Sequence, residues 1–325
     1  MPPDSSLSPE SLKERIIRWF PSFDGGPDPV VHTDTTDFFR IGYGDVLVLA
    51  DTPYLIRQNA KEGRFGLDDE EKFWVKRSVD LNTGQRKIIK LVFYERFTAH
   101  VGGIAFQCFR SPKKEARILS LVRGHSHFMQ GFSAEDSAGN PLRVLDVIVG
   151  PTLPKMVDKI EGGHEAYFHG HFPGILDNFI KSVEAIRFLH DHGEKHGDIR
   201  RDHIFVDRDT GSYRWIDFDF NYAHRENIYG YDLFGLGNIL IYLAGKGDLL
   251  LQDLLREKHP AFDALVEEDR NIVFHNRLAN LKKIYPYLPE ALNRILLHFS
   301  KGANWFYEHT KQLQEDLGEA RATLE

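Results

Sequence analysis

The segment HGDIRRDHIFVDRDTGSYRWIDFDF, residues 196–220, concentrates side chains able to do chemistry. Two short β patterns, HIFVD and YRWIDF, flank a turn at Thr210-Gly211. His196 and Asp198 precede the first pattern, and Asp217 closes the second. Two carboxylates on neighbouring hairpin elements can divide the work. One can orient a substrate hydroxyl and accept its proton; the other can give oxygen ligands to a hard divalent cation. The plain alternatives are a turn aspartate for Asp198 and a solvated strand end for Asp217.

The flanking patterns show what must hold these groups. ILDNFIKSVEAIRFLHDHG has the periodicity of an amphipathic helix stopped by Gly193. YDLFGLGNILIYLAGKG is apolar on nearly every side, so its helix is expected to be buried. PEALNRILLHFSK and TKQLQEDLGEAR predict two further helices. Upstream the texture is strand-like. DVLVLADTPYLI predicts a hairpin around Ala50-Asp51-Thr52, and KFWVKRSVDLNTGQRKIIKLVF predicts another around Asn82-Thr83-Gly84. SPKKEARILSLVRG then predicts a helix opened by Ser111-Pro112 and stopped by Gly124. Two more strands, FMQGFSAE and LRVLDVIVG, surround a turn-rich Asp136–Pro141. At the N-terminus Ser8 caps a short helix with Pro9 first, and Ile16, Ile17 and Phe20 give it an apolar face. The expected division is an N-terminal helix and extension over 1–45, a strand-rich half over 46–150 and a helical half over 151–325.

Composition narrows the class. The 325 residues carry a net charge of −7, which argues against nucleic acid or an anionic membrane as the main partner. No apolar run approaches the roughly 18 residues of a membrane helix, and the N-terminus shows no signal-peptide core. Cys108 is the one cysteine, so internal disulfides and cysteine metal sites are excluded, and a cytoplasmic location is expected. His164, His169 and His171 sit close together in GGHEAYFHGHF, read as a glycine-rich linker rather than a metal site.

The order of these motifs resembles the protein-kinase superfamily. HGDIRRDH looks like the catalytic loop, Ile216-Asp217-Phe218 like the metal-binding Asp-Phe-Gly segment, and YDLFGLG like the helix whose aspartate, Asp232, anchors that loop. NTGQRKIIKLVF resembles the turn and strand carrying the phosphate lysine, which makes it Lys90, with Glu115 as its partner. Lys76 competes for that role; Lys90 is favoured because its strand follows the Asn82–Gly84 turn. LRVLDVIVG is similar to the hinge, placing the Asp146 carbonyl and Ile148 amide toward adenine, and Gly63 and Gly66 could be phosphate-loop glycines. The resemblance covers roughly residues 54–318. It implies an α+β, bilobal protein-kinase-like fold with a strand-rich N-lobe and helical C-lobe. It also implies an ATP-dependent phosphotransferase using Mg²⁺ or Mn²⁺ and a hydroxyl acceptor, protein or small molecule. Asp198 would orient that hydroxyl, Arg200 would contact the transferring phosphate, and His203 and Asp217 would hold the metal.

The chain departs from the family pattern in four places. His203 stands where the family has an asparagine ligand, which favours Mn²⁺; a hydrogen-bonded core histidine is the alternative. Asp219 replaces the glycine after Phe218. Only NYAHRENIYG separates this segment from the Asp232 helix, with no Ala-Pro-Glu motif, so an extended peptide platform and phosphorylation control are not expected. Lys61 falls where a first phosphate-loop glycine would be. These departures keep a nucleotide-binding or scaffolding pseudokinase as the alternative function.

Overall fold

A computed structural model of the chain describes residues 8–23, 28–62 and 70–324. The protein is mixed α and β and forms two compact units. The first comprises residues 1–94, 112–124 and 129–147; the second comprises 95–111, 125–128 and 148–325.

The first unit is built on a seven-stranded sheet. Its strands are β1 (Val31–His32), β2 (Val46–Leu49), β3 (Thr52–Glu62), β4 (Glu70–Asp80), β5 (Arg86–Lys90), β8 (Gly131–Glu135) and β9 (Pro141–Asp146). Their spatial order is β1-β2-β3-β4-β5-β9-β8, antiparallel except for β1 against β2. The unbroken apolar run VLVL of β2 is explained by burial on both faces. Val46 and Val48 meet α1 (Pro9–Trp19), packing with Leu12, Ile16, Leu55 and Leu81. Leu47 and Leu49 point the other way, onto Tyr54, Ile56, Ile89 and Val144. Ser8 caps α1 by accepting from the Ser11 amide at 3.2 Å. Leu12 and Ile16, 0% and 1% exposed, each contribute roughly 1.5–3 kcal/mol to holding α1 on the sheet. Ile17, expected on that apolar face, is instead about half exposed.

Ala50 and Asp51 both have positive φ (45° and 62°), the two-residue hairpin turn that suits the twist of β2 and β3. Gly84 (φ 74°) closes the β4–β5 turn. A Cβ there would also stand 2.6 Å from the Trp19 ring, so no other residue fits. Helix α2 (Pro112–Leu121) buries Ile118 and Leu119 and, unusually, Lys114 and Glu115. It ends at Leu121, and the turn that follows closes on Gly124, φ 78°.

The second unit is mainly helical. Its helices are α3 (Leu153–Val157), α4 (His164–Gly170), α5 (Phe172–Asp191), α6 (Gly230–Ala244), α7 (Leu251–Arg256), α8 (Glu290–Leu297) and α9 (Thr310–Arg321). Helix α6 is buried along most of its length, as its composition requires. The GGHEAYFHGHF stretch is not a linker: it forms α4, pinned by buried Tyr167 and Phe168. His164 there is fully engaged. Its Nδ1 lies 2.6 Å from the Tyr287 hydroxyl, its Nε2 lies 2.8 Å from the Ala244 carbonyl, and its ring stacks on Tyr285. Two small sheets complete the unit: the hairpin β10 (Ile204–Val206) and β11 (Tyr213–Trp215), and the three-stranded β6 (Arg96–Val101), β7 (Ile104–Arg110) and β12 (Phe220–Ala223). Residues 95–111 lie within the range expected to be strand-rich but carried no strand expectation of their own; they form the β6–β7 hairpin, and β7 pairs with β12. Among the described residues no helix is long and apolar enough to cross a membrane.

Candidate active site

The loop from His196 to His203 is positioned by one carboxylate. Asp232, in the first turn of α6, accepts from the His196 amide at 2.8 Å, the Gly197 amide at 2.9 Å and His190 Nε2 at 3.0 Å. Burial alone would push the Asp232 carboxyl up. These hydrogen bonds, chiefly His190's, outweigh burial and hold it below the usual carboxylate value. Gly197 has φ 88°, a conformation that lets two successive amides point at Asp232. The loop also presses on α6, where a Cβ on Gly235 would come within 2.7 Å of the Ile199 carbonyl. Below the loop, the buried His196 ring packs against Trp215 and Phe218.

Three predicted residues converge. His203 Nδ1 is 2.9 Å from the Asp198 carbonyl oxygen. A carbonyl only accepts, so Nδ1 carries the proton and Nε2 carries the lone pair. Nε2 lies 3.7 Å from Asp217 Oδ2, and Nδ1 lies 3.6 Å from Asp198 Oδ2. One imidazole nitrogen and one carboxylate oxygen 3.7 Å apart fit a shared divalent ion at roughly 2.1 Å from each. The mixed nitrogen and oxygen donors suit Mn²⁺ better than Mg²⁺. Asp217 itself sits at φ 65°, a left-handed conformation that a non-glycine residue adopts at a cost of about 1–2 kcal/mol. The Ile216 amide, hydrogen-bonded to the His203 carbonyl at 3.0 Å, ties the two segments together.

Asp198 is the other candidate carboxylate. Its side chain is 19% exposed. Burial pushes its carboxyl above the ordinary value and Asp217 and Asp219 add to the rise, while His203 and Arg200 oppose it. A carboxylate of raised basicity is a better proton acceptor near neutral pH. Arg200 does not reach out alone: it forks onto Asp202, Nε to Oδ1 at 3.1 Å and Nη2 to Oδ2 at 2.6 Å.

In the first unit, Lys90 Nζ donates to Glu115 Oε1 at 2.8 Å. The two candidate lysines differ in their partners. Lys76 is buried and spends its ammonium on the carbonyls of Phe38 and Ile41 and on Asn59 Oδ1. Burial pushes Lys76 down to about 8. Asp146 ends β9, with its carboxylate 2.6 Å from Lys87 Nζ, and Ile148 follows in the second unit. Gly63 and Gly66 lie outside the described residues.

Two arginines were not anticipated. Arg143, 0% exposed, donates through Nε to Glu115 Oε2 at 2.8 Å, so Glu115 is held by two cations. The local signal was weak: alternation in LRVLD puts Arg143 on the face opposite Leu142 and Val144, and the burial of that face against α2 is a tertiary fact. Arg110 donates to Asp219 Oδ2 at 2.6 Å, and both side chains are buried. At Asp219 the matching clue was an acid where the kinase pattern that the segment resembles has glycine.

No family model matches the chain. A Caenorhabditis elegans protein named as a ribosomal protein S6 kinase alpha-2 is 29% identical over 124 residues. That stretch is 37% of this chain and 15% of the length of that protein. The chain therefore shares a kinase-like relationship with a small part of this relative.

Proposed function

We propose that the chain is an ATP-dependent phosphotransferase that passes the γ-phosphate to a hydroxyl acceptor. The observation that carries this reading is the His203 ring, fixed by the Asp198 carbonyl so that Nε2 faces Asp217. Asp198 orients the acceptor hydroxyl and takes its proton late. Asp217 and His203 hold the divalent ion, Mn²⁺ or Mg²⁺, which neutralises charge on the phosphate oxygens when bound. Lys90, held by Glu115, contacts the phosphates that are not transferred. Arg200 contacts the transferring group once its fork leaves Asp202. The Asp146 carbonyl and Ile148 amide face adenine, and Gly63 and Gly66 cover the phosphates. The short segment after Asp217 makes a small-molecule or sugar hydroxyl a close rival to a protein hydroxyl as acceptor.

A second reading, a nucleotide-binding protein without catalysis, is favoured by one observation: Arg200 is closed onto Asp202. One experiment separates the two. Thermal melting with ATP and Mn²⁺ or Mg²⁺ is expected to rise, since a ligand bound only by the folded state stabilises it. ATP turnover is then compared between the natural protein and Asp198→Asn. Loss of turnover supports the transferase; equal turnover removes the role given to Asp198. A melting shift without turnover supports the second reading.

A further inference from the structure

The hairpin β6–β7 lies in sequence between the Lys90 strand and the Glu115 helix, yet it belongs to the second unit. Its partner there is the chain just beyond Asp217. Strand β12 pairs antiparallel with β7 from Phe220↔Arg110 to Ala223↔Gln107. The Ser111 amide donates to the Asp219 carbonyl at 2.7 Å. At the head of this ladder stands the Arg110–Asp219 ion pair, with side chains 2% and 0% exposed. The Arg110 guanidinium also lies 4.1 Å over the Phe220 ring and 3.3 Å from Glu95. Only Phe218 and Asp219 separate Asp217 from the ladder.

A non-glycine residue in a left-handed conformation persists only where its surroundings over-determine it. Asp217 meets that condition from both sides: Ile216 is tied to His203, and Asp219 is tied to Arg110 and Ser111. A glycine after Phe218 would leave the second tie to the backbone alone. The segment also offers little for phosphorylation to act on. NYAHRENIYG contains neither serine nor threonine; Tyr222 is 2% exposed, and the half-buried Tyr229 donates its hydroxyl to the His190 carbonyl at 2.9 Å.

We propose that Arg110 and Asp219 are positioning residues that fix the Asp217 carboxylate. Strand β7 supplies the order that a separately switched segment would otherwise have to acquire. The proposal rests on the reading of Asp217 as the metal-side carboxylate. It makes the site ready as folded, with no phosphorylation step.

The test uses the full chain and two readouts that need no turnover: hydrogen–deuterium exchange over residues 216–223, and Mn²⁺ binding with ATP followed by electron paramagnetic resonance. In Asp219→Asn, exchange is expected to accelerate at least tenfold, and the Mn²⁺ dissociation constant to rise about tenfold or more, the usual effect of removing a group that orients a ligand. ATP affinity without metal is expected to stay within twofold. Arg110→Lys should recover part of what Arg110→Met loses. The double variant Arg110→Met/Asp219→Leu replaces a buried pair by apolar groups and is expected to fold, yet to bind Mn²⁺ as weakly as Asp219→Asn. Unchanged exchange and unchanged Mn²⁺ binding in folded Asp219→Asn overturn the proposal. Weaker Mn²⁺ binding in that variant upholds it even if the natural protein turns over no ATP, a result that would defeat the transferase reading alone.

Discussion

Glu115 accepts from Lys90 through one oxygen and from Arg143 through the other, both at 2.8 Å, and all three side chains are at most 6% exposed. A charge count within this cluster gives a worked prediction. Glu115→Gln leaves two cations facing a neutral amide in a dry site, and breaking a buried pair in this way costs about 3–5 kcal/mol. Arg143→Met leaves the Lys90–Glu115 pair in place but strips donors from the carbonyls of Pro141 (3.1 Å) and Leu91 (3.4 Å). Unmet acceptors of this kind cost about 1–3 kcal/mol. The double variant has no second cation to repel. Its loss should therefore fall short of the summed single losses by about 1–3 kcal/mol. Urea denaturation at pH 7, followed by tryptophan fluorescence, measures all four proteins. The shortfall should persist in 0.5 M salt, because buried charges are poorly screened. Losses that add to within about 0.5 kcal/mol would show that Glu115 and Arg143 act independently, and the two-cation account would fail.

Asp198→Asn should be more stable than the natural protein at pH 8 while losing turnover. Burial raises the folded carboxyl above its ordinary value, so stability falls as pH climbs from that value through the raised one, and asparagine removes the fall. Melting curves should show the gap closing toward pH 4; a lower melting point for the variant at pH 8 contradicts this. His203→Asn should keep the fold and move the ratio of Mg²⁺ to Mn²⁺ activity upward by about tenfold, and an unchanged ratio counts against His203 as a ligand. Gly235→Ala should cost about 1–3 kcal/mol and depress turnover, because the added methyl must displace Ile199 and with it the loop. Gly318→Ala in α9, where a Cβ meets nothing within 4 Å, is the control and should be neutral or stabilising by up to about 1 kcal/mol.

What the sequence made legible follows from what is local. Gly193 and Gly124 stop helices that periodicity alone had outlined, and Asn82-Thr83-Gly84 turns the chain where Asp80 caps it through the Asn82 amide. Local composition also separated the buried α6 from the amphipathic α5. The hairpin at 95–111 was missed for a physical reason. RFTAHV is mostly exposed, so it lacks the apolar alternation that marks a half-buried strand. Its stability comes from pairing with β12, more than a hundred residues away in sequence. Helix α4 was missed because its glycines read as breakers, while the burial of Tyr167 and Phe168 that outweighs them is a tertiary fact.

The four aspartates of the site show most plainly what a sequence leaves open. Asp198, Asp217, Asp219 and Asp232 carry the same side chain and differ only in surroundings. Asp232 is as buried as any, yet two amides and His190 satisfy it, so it stays ionised and anchors the loop. Asp219 is equally buried and is ion-paired with Arg110. At Asp198 burial, with Asp217 and Asp219 nearby, outweighs His203 and Arg200, so its proton affinity rises. Asp217 has the strained backbone and the nearby imidazole. The division of labour therefore lies in three long-range contacts: Asp232 with the loop, Arg110 with Asp219, and His203 with Asp217. Changing any one contact should alter the role of an aspartate that the substitution leaves untouched. That outcome cannot arise if each aspartate acts alone.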